Sequence, residues 1–272
     1  MENNETTNIQ KIQKTAKKND YIKFAVPRFS ASLLRDSINK GFFKINPETQ
    51  TSPVHTVYNA HTGFPLDAKD IIPASIMLDI RNARIENKND WEKPIIFSKS
   101  FADKSHTQIK AGEKGLLYNF VNKNNELQTA QYYFAQQTKD PEKIIETANQ
   151  KIEQNKAEVH FPENKNELVI NNKEDYMSTL LLASKFSNDV KIVCSPEIEK
   201  EALKEISLVC ENQLRSPALR DKTITPLNEF LYVQDLKAQD AFKEMKNENI
   251  ISFPNKVQSQ TQSHKIEQGI DR

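Results

Sequence analysis

The residues of this chain best placed to do chemistry lie in Ile109-Lys110-Ala111-Gly112-Glu113-Lys114-Gly115, which runs directly into Leu116-Leu117-Tyr118-Asn119-Phe120. Gly112 and Gly115 are two of only five glycines in 272 residues. Glycines at that spacing permit positive φ and close backbone approach. The apolar and aromatic run after them reads as a strand. A glycine turn carrying Lys110 and Lys114 into a strand can offer backbone N–H groups and two ammonium charges to an anion. A nucleic-acid backbone suits such a turn better than a small molecule, because no catalytic motif lies near it. An ordinary β-turn with solvated lysines has the same composition, and residue types alone do not separate the two.

Around this turn, basic and aromatic residues alternate. Lys93, Lys99, Lys104, Lys110, Lys114 and Lys123 are interleaved with Trp91, Phe97, Phe101, Tyr118 and Phe120. Single strands are commonly held this way, with lysines following phosphates and aromatic faces stacking on bases. Phe97, Phe120 and Phe134 are assigned to the interior. Tyr58, Trp91, Tyr118 and Tyr132 are the candidates for exposure, since each also carries a polar handle.

The usual catalytic constellations are missing. Histidines at 55, 61, 106, 160 and 264 include no pair three or four residues apart, so a helical zinc pair is excluded. There is no phosphate loop, dinucleotide fingerprint or nucleophile elbow, and no cofactor is expected. Cys194 and Cys210 have no metal-ligand spacing and read as free thiols. Acid–base pairs that meet only in the fold remain open.

Periodicity outlines the elements that must position these residues. A helix is expected over Ser30–Lys40, stopped by Gly41, then a strand over Val54–Tyr58 and a turn at Asn59-Ala60-His61-Thr62-Gly63. A helix over Ile72–Glu86 with Pro73 in its first turn leads to strands at Pro94–Phe97, Leu116–Val121 and Ala130–Ala135, with a hairpin-like turn at Asn122–Asn125. Asp140-Pro141-Glu142 starts a helix to about Asn155. Beyond it, strands at Glu158–Phe161, Leu168–Ile170 and Val190–Cys194 and helices at Lys173–Phe186 and Pro196–Gln213 describe a ββαβα module. Leu168, Ile170, Leu180, Leu181, Val190, Ile192, Ala202 and Ile206 are its expected inward residues, and it is expected to fold nearly on its own. A last helix is expected over Leu227–Asn247.

The fold class is therefore α+β, with an antiparallel sheet in its first half. Five segments are expected: a disordered or weakly helical tail (1–27), a DNA-binding α+β domain (28–140), a connecting helix (141–156), an acidic α+β module with a C-terminal helix (157–250), and a disordered tail (251–272). The net charge of +1 hides a division. Residues 1–139 carry +6, residues 140–211 carry −6 and the remainder +1. A basic first half and an acidic middle argue for different partners. No window has the apolar length of a signal peptide or a membrane span, so a cytosolic, reduced protein is expected.

Tyr58-Asn59-Ala60-His61-Thr62-Gly63, a helix, Trp91, and the Lys110–Gly115 turn with its strand, in that order, resemble the N-terminal single-stranded-DNA-binding domain of ArdC-type plasmid antirestriction proteins. That family shows an Asn-x-x-Thr-Gly element, a helix, a tryptophan segment and a basic Lys-x-Gly-Glu-Lys-Gly turn entering a strand. Tyr133-Phe134-Ala135-Gln136-Gln137 corresponds loosely to its next strand end. The resemblance covers residues 29–140 and implies roles in nucleic-acid binding for Asn59 and Thr62, beside Lys99, Lys104, Lys110, Gly112, Lys114, Gly115, Trp91 and Tyr118. Two features depart from the family. Phe64-Pro65-Leu66-Asp67-Ala68 stands where the family has a Tyr-x-Gly-x-Asn element, and the family's zinc-peptidase-like domain has no counterpart. Residues 157–213 are faintly similar to a small domain of large polyvalent mobile-element proteins and conjugative primases.

The reading these features favour is a non-enzymatic protein of a plasmid or phage that binds single-stranded DNA without sequence preference. As the resemblance implies, it would serve antirestriction or protection of DNA during conjugation, with a protein partner on the acidic 157–213 module. Two other readings stand beside it. One is a protein–protein interaction module whose lysines only solubilise. The other is an accessory or remnant of a primase or nuclease, with carboxylates placed to hold Mg²⁺.

Overall fold

The computed structural model describes residues 28–88, 91–121, 127–155, 161–162, 167–215 and 225–247, the side chains of 28–30, 68–69, 118–121 and 127–129 excepted. The turn at Asn122–Asn125, the strand from Glu158, apart from Phe161, and the two tails lie outside the described residues. Phe161 itself is buried and not in a strand.

The fold is α+β. In chain order come α1 (Arg28–Asn39), β1 (Tyr58–Asn59), α2 (Ala68–Asn82), β2 (Ile95–Ser98), α3 (Lys99–Lys104), β3 (Leu116–Val121), β4 (Leu127–Phe134) and α4 (Pro141–Asn155). They are followed by β5 (Leu168–Ile170), α5 (Tyr176–Ala183), β6 (Ile192–Cys194), α6 (Pro196–Arg215) and α7 (Pro226–Asn247). α4, α6 and α7 each begin with proline, where the missing N–H is not needed and φ is already helical. Ser195 Oγ accepts from the Ile198 N–H at 3.2 Å and Thr225 Oγ1 from the Asn228 N–H at 3.3 Å, capping α6 and α7.

The four-stranded sheet has the order β1-β2-β4-β3. It is mixed, not antiparallel throughout: β1 runs parallel to β2, with Tyr58 opposite Ile95, because α2 connects them and a helical crossover returns the chain in the same direction. β2–β4 and β4–β3 are antiparallel, with Phe97 opposite Tyr133 and Leu116 opposite Tyr132. Alternation sends Ile95, Phe97 and Tyr133 to one face, where Phe101 and Ala102 of α3 and Ile144, Ala148 and Ile152 of α4 close a small core. Ile96, Leu116 and Phe134 face the other way, into a larger core with Ile72 and Ile76 of α2. Phe97 and Phe134, interior as expected, are fully buried, and each contributes roughly 1.5–3 kcal/mol.

Three elements differ from expectation. Val54–Tyr58 is not a strand beyond Tyr58, because its polar groups are taken elsewhere: the Val54 N–H by Ser52 Oγ, the His55 N–H by Ser75 Oγ, and the Thr56 hydroxyl by the Ser184 carbonyl. α2 begins at Ala68, so Pro73 lies inside it. A proline there forfeits one helical bond, about 3 kcal/mol, but Ile71, Ile72 and Ile76 all become buried, each contributing roughly 1.5–3 kcal/mol. The Lys173–Phe186 helix is a 3₁₀ turn, Lys173–Asp175, followed by the shorter α5.

β5 and β6 form a parallel pair joined through α5. The packing crosses the boundary expected near residue 156. Ala31 and Leu34 of α1, Ile72 of α2, Leu180 of α5, Ala202 and Ile206 of α6 and Leu231 of α7 belong to one cluster. The Ile192 N–H donates to the Gln50 carbonyl, tying β6 to the loop after α1. Of the expected inward residues of 157–213, all are buried except Leu168, which is half-buried. They share their core with the N-terminal half. Among the described residues no helix is long and apolar enough to cross a membrane.

Candidate nucleic-acid interface

The glycine segment forms a β-turn over Lys110–Glu113. The Glu113 N–H reaches back to the Lys110 carbonyl at 3.3 Å, and Gly112 holds φ at +82°, as the third position of a type II turn requires. A Cβ on Gly112 would meet open space. Gly115 serves a different purpose. Its φ is ordinary, but a Cβ there would sit 2.4 Å from the Tyr132 carbonyl oxygen, so only glycine lets the chain come against β4 as β3 begins.

A buried polar network lies beneath the turn. Gln137 is almost wholly inaccessible: its Oε1 accepts from the Phe134 N–H at 2.8 Å, and its Nε2 donates to Glu113 Oε2 at 2.8 Å and to the Lys114 carbonyl at 3.0 Å. Arg81, from the last turn of α2, donates to Glu92 Oε1 at 2.7 Å and to Glu113 Oε2 at 3.3 Å. The other Glu92 oxygen accepts from the Gln136 N–H at 3.0 Å, and the Glu92 N–H donates to Asn82 Oδ1. Four segments far apart in sequence are thereby locked together: the end of α2, the Trp91–Glu92 strand entry, the glycine turn and the turn after β4.

Two carboxylates share one guanidinium in this network, and they titrate in opposite directions. Burial pushes Glu92 above the usual carboxylate range, with Arg81 and the Gln136 N–H offsetting only part of it. Burial also acts to raise Glu113, but hydrogen bonds from Gln137 and Arg81 and the charges of Arg81 and Lys110 outweigh it and hold Glu113 below that range. Glu92 thereby holds the backbone at Gln136, and Glu113 holds the side chains of Gln137 and Arg81. Among the described residues no group of three or more His, Cys, Asp or Glu is placed to hold a metal ion.

Outside the network are its cations and one aromatic. Lys110 Nζ donates to the Gln136 carbonyl at 2.8 Å from an exposed position, and the Lys114 ammonium is exposed without a side-chain partner among the described residues. Trp91 is 37% exposed, its indole N–H donates to the Ile85 carbonyl at 3.2 Å, and Lys88 Nζ stands 5.6 Å from its ring centre. The segment carrying Trp91 and the turn carrying Lys110 and Lys114 are thus tied together through the Glu92–Gln136 and Gln137–Lys114 contacts. Tyr118 pairs with Ala130 in the β3–β4 ladder, and its side chain lies outside the described residues. Tyr58 and Tyr132, expected to be exposed, are half-buried against the small and large cores, because helices cover both faces of the sheet at their positions.

Asn59 and Thr62 are not part of this network. They lie in the turn after β1, at the opposite edge of the sheet from β3. Asn59 Oδ1 accepts from the His61 N–H at 2.9 Å and Thr62 Oγ1 from the Phe64 N–H at 3.3 Å, so both side chains shape the turn. Gly63 has φ +73°, and a Cβ there would lie 2.6 Å from the Lys151 carbonyl oxygen at the end of α4. Lys151 Nζ donates to the His61 carbonyl and Asn155 Nδ2 to the Thr62 carbonyl, clasping the turn to α4. Lys99 and Lys104 are exposed on α3, beside this second turn, where the His61 and Phe101 rings meet edge-on at 6.2 Å.

Sequence reasoning missed Arg81, Glu92 and Gln137. The usable signal was a polar Gln136-Gln137-Thr138 run at the end of an apolar strand, where a buried polar side chain is tolerated only if its hydrogen bonds are satisfied. Comparison with protein-family models, with curated proteins and with solved structures gives no match.

Proposed function

We propose that the Lys110–Gly115 turn and Trp91 bind single-stranded DNA without sequence preference. The observation that carries this reading is a turn bearing two exposed lysines, held by Arg81 and Gln137 and tied through the Glu92–Gln136 contact to the segment that bears the exposed Trp91. Lys88 stands over the indole; on this reading a base stacks on the exposed part of the ring while Lys110 and Lys114 neutralise neighbouring phosphates. A preformed site of this kind loses little conformational freedom on binding. The resemblance to the ArdC-type domain supports the same ligand, and would give the protein a role in shielding incoming DNA from restriction or accompanying it during transfer.

Trp91 is the chain's single tryptophan, so its fluorescence reports on the site directly. Titration with oligothymidylate across a salt series is expected to quench it, with duplex DNA and RNA as comparisons. Lys110→Glu combined with Lys114→Glu should weaken binding strongly while leaving the fold intact, and reduce the salt slope by about 0.7 for each phosphate no longer neutralised. Unaltered affinity in the folded double variant would remove the turn from the interface.

A further inference from the structure

Among the described residues Phe64 is the most exposed of the large hydrophobic side chains, at 57%. Single exposed apolar side chains are common on protein surfaces, but this one is fixed in place. The Asn59 N–H donates to the Phe64 carbonyl at 3.0 Å, and the Phe64 N–H is taken by Thr62 Oγ1. The preceding Gly63 is wedged against α4, with the His61 and Thr62 carbonyls bonded by Lys151 and Asn155. The backbone beneath the ring is therefore fixed by hydrogen bonds, while more than half of the residue is exposed. Lys99 and Lys104 are exposed, without side-chain hydrogen bonds or ion pairs among the described residues, on the helix whose Phe101 meets His61 of this turn.

We infer that Phe64 is a second base-stacking position for single-stranded nucleic acid, with Lys99 and Lys104 as its backbone contacts. This rests on the single-strand reading of the glycine turn and extends it. The turn of Phe64 follows β1 and the glycine turn precedes β3; because β1 and β3 run in the same direction, the two turns leave their strands at opposite ends as well as at opposite edges of the sheet, and the three inter-strand spacings between those edges, about 14 Å, are only the lateral part of their separation. At about 3.4 Å per nucleotide of a stacked strand, more than four nucleotides are needed to join them. A trimer reaches Trp91 and its lysines alone, whereas a dodecamer reaches Phe64 as well.

The test uses the full chain, with Trp91 fluorescence as readout and thymidine trimer and dodecamer as ligands. Phe64→Ala should weaken dodecamer binding about tenfold, the usual scale for removal of one stacking ring, and leave trimer binding unchanged. Phe64→Tyr, which keeps the ring, should restore dodecamer affinity. Wild-type dodecamer affinity in Phe64→Ala, or an equal loss for both lengths, would overturn the second position while leaving the first intact. Failure of the wild-type protein to bind either oligonucleotide would overturn both.

Discussion

The two glycine turns sit at opposite edges of one sheet and are held in opposite ways. The Asn59–Gly63 turn is gripped from outside: α4 places the Lys151 ammonium and the Asn155 amide on its carbonyls and its own backbone against Gly63. The Lys110–Gly115 turn is held from beneath by the side chains of Arg81, Glu92 and Gln137, and its outward groups stay accessible. Both contain a glycine at positive φ, yet one is a packing joint and the other a display. A glycine motif read from sequence does not distinguish these uses, because the difference lies in what the missing Cβ would strike.

Substitution of the glycines should separate the two turns by the largest margin. Gly63→Ala combines strain at φ +73° with a clash 2.6 Å from the Lys151 carbonyl, and should cost about 2–5 kcal/mol. Gly115→Ala carries only the clash with Tyr132, about 1–3 kcal/mol. Gly112→Ala carries only strain in open space, about 1 kcal/mol. Urea denaturation of the three variants gives the order directly. If Gly112→Ala proved as damaging as Gly63→Ala, the contrast between joint and display would be wrong.

The next largest effect belongs to Gln137. Gln137→Ala removes three hydrogen bonds at once and leaves the Phe134 N–H and the Lys114 carbonyl unpaired in a buried site, at a cost of about 2–3 kcal/mol. The turn above it should loosen as well, so hydrogen exchange at the Glu113 and Gly115 amides should accelerate more than at Asn59 or Gly63. Equal acceleration at both turns would mean that Gln137 supports the fold in general and not the glycine turn in particular.

What was legible in the sequence follows the same division. The helix faces, the β3 and β4 strands and the exposure of Lys110, Lys114 and Trp91 were readable because each depends on local periodicity or on a lysine's need for water. The grouping of Trp91 with the glycine turn was suggested only by their order in the chain. The network that joins them links Arg81 to Glu113 across 32 residues and Glu92 to Gln136 across 44, separations that carry no local pattern. Tyr58 and Tyr132 were misjudged for a related reason: a polar handle favours exposure on a sheet with one open face, and here helices cover both. The parallel β1–β2 pair, too, was fixed by a crossover that strand patterns alone do not reveal.

The smallest expected effect lies in the pH dependence of the network, and it tests whether its two carboxylates do opposite things. Glu113 has a folded pKa below its unfolded value, so its stabilisation is fully present above about pH 4.3 and is lost as pH falls through the lower folded value. Glu92 has a folded pKa above its unfolded value, so the folded state holds that proton more tightly and gains stability as pH falls from neutrality toward about 4.3. Glu92→Gln removes this gain while keeping a neutral amide in the same space. Its stability relative to the wild type should therefore decline from pH 7 to 4.5. Glu113→Gln should instead track the wild type over that interval and depart from it only below, where it is spared the acid-side loss. Urea midpoints at pH 7, 5.5, 4.5 and 3.5 for the three proteins resolve these courses. Parallel curves for Glu92→Gln and wild type between pH 7 and 4.5 would show that Glu92 is no harder to ionise in the folded protein than in the unfolded chain. Arg81 would then fully offset its burial, and the turn would rest on an ion pair insensitive to pH.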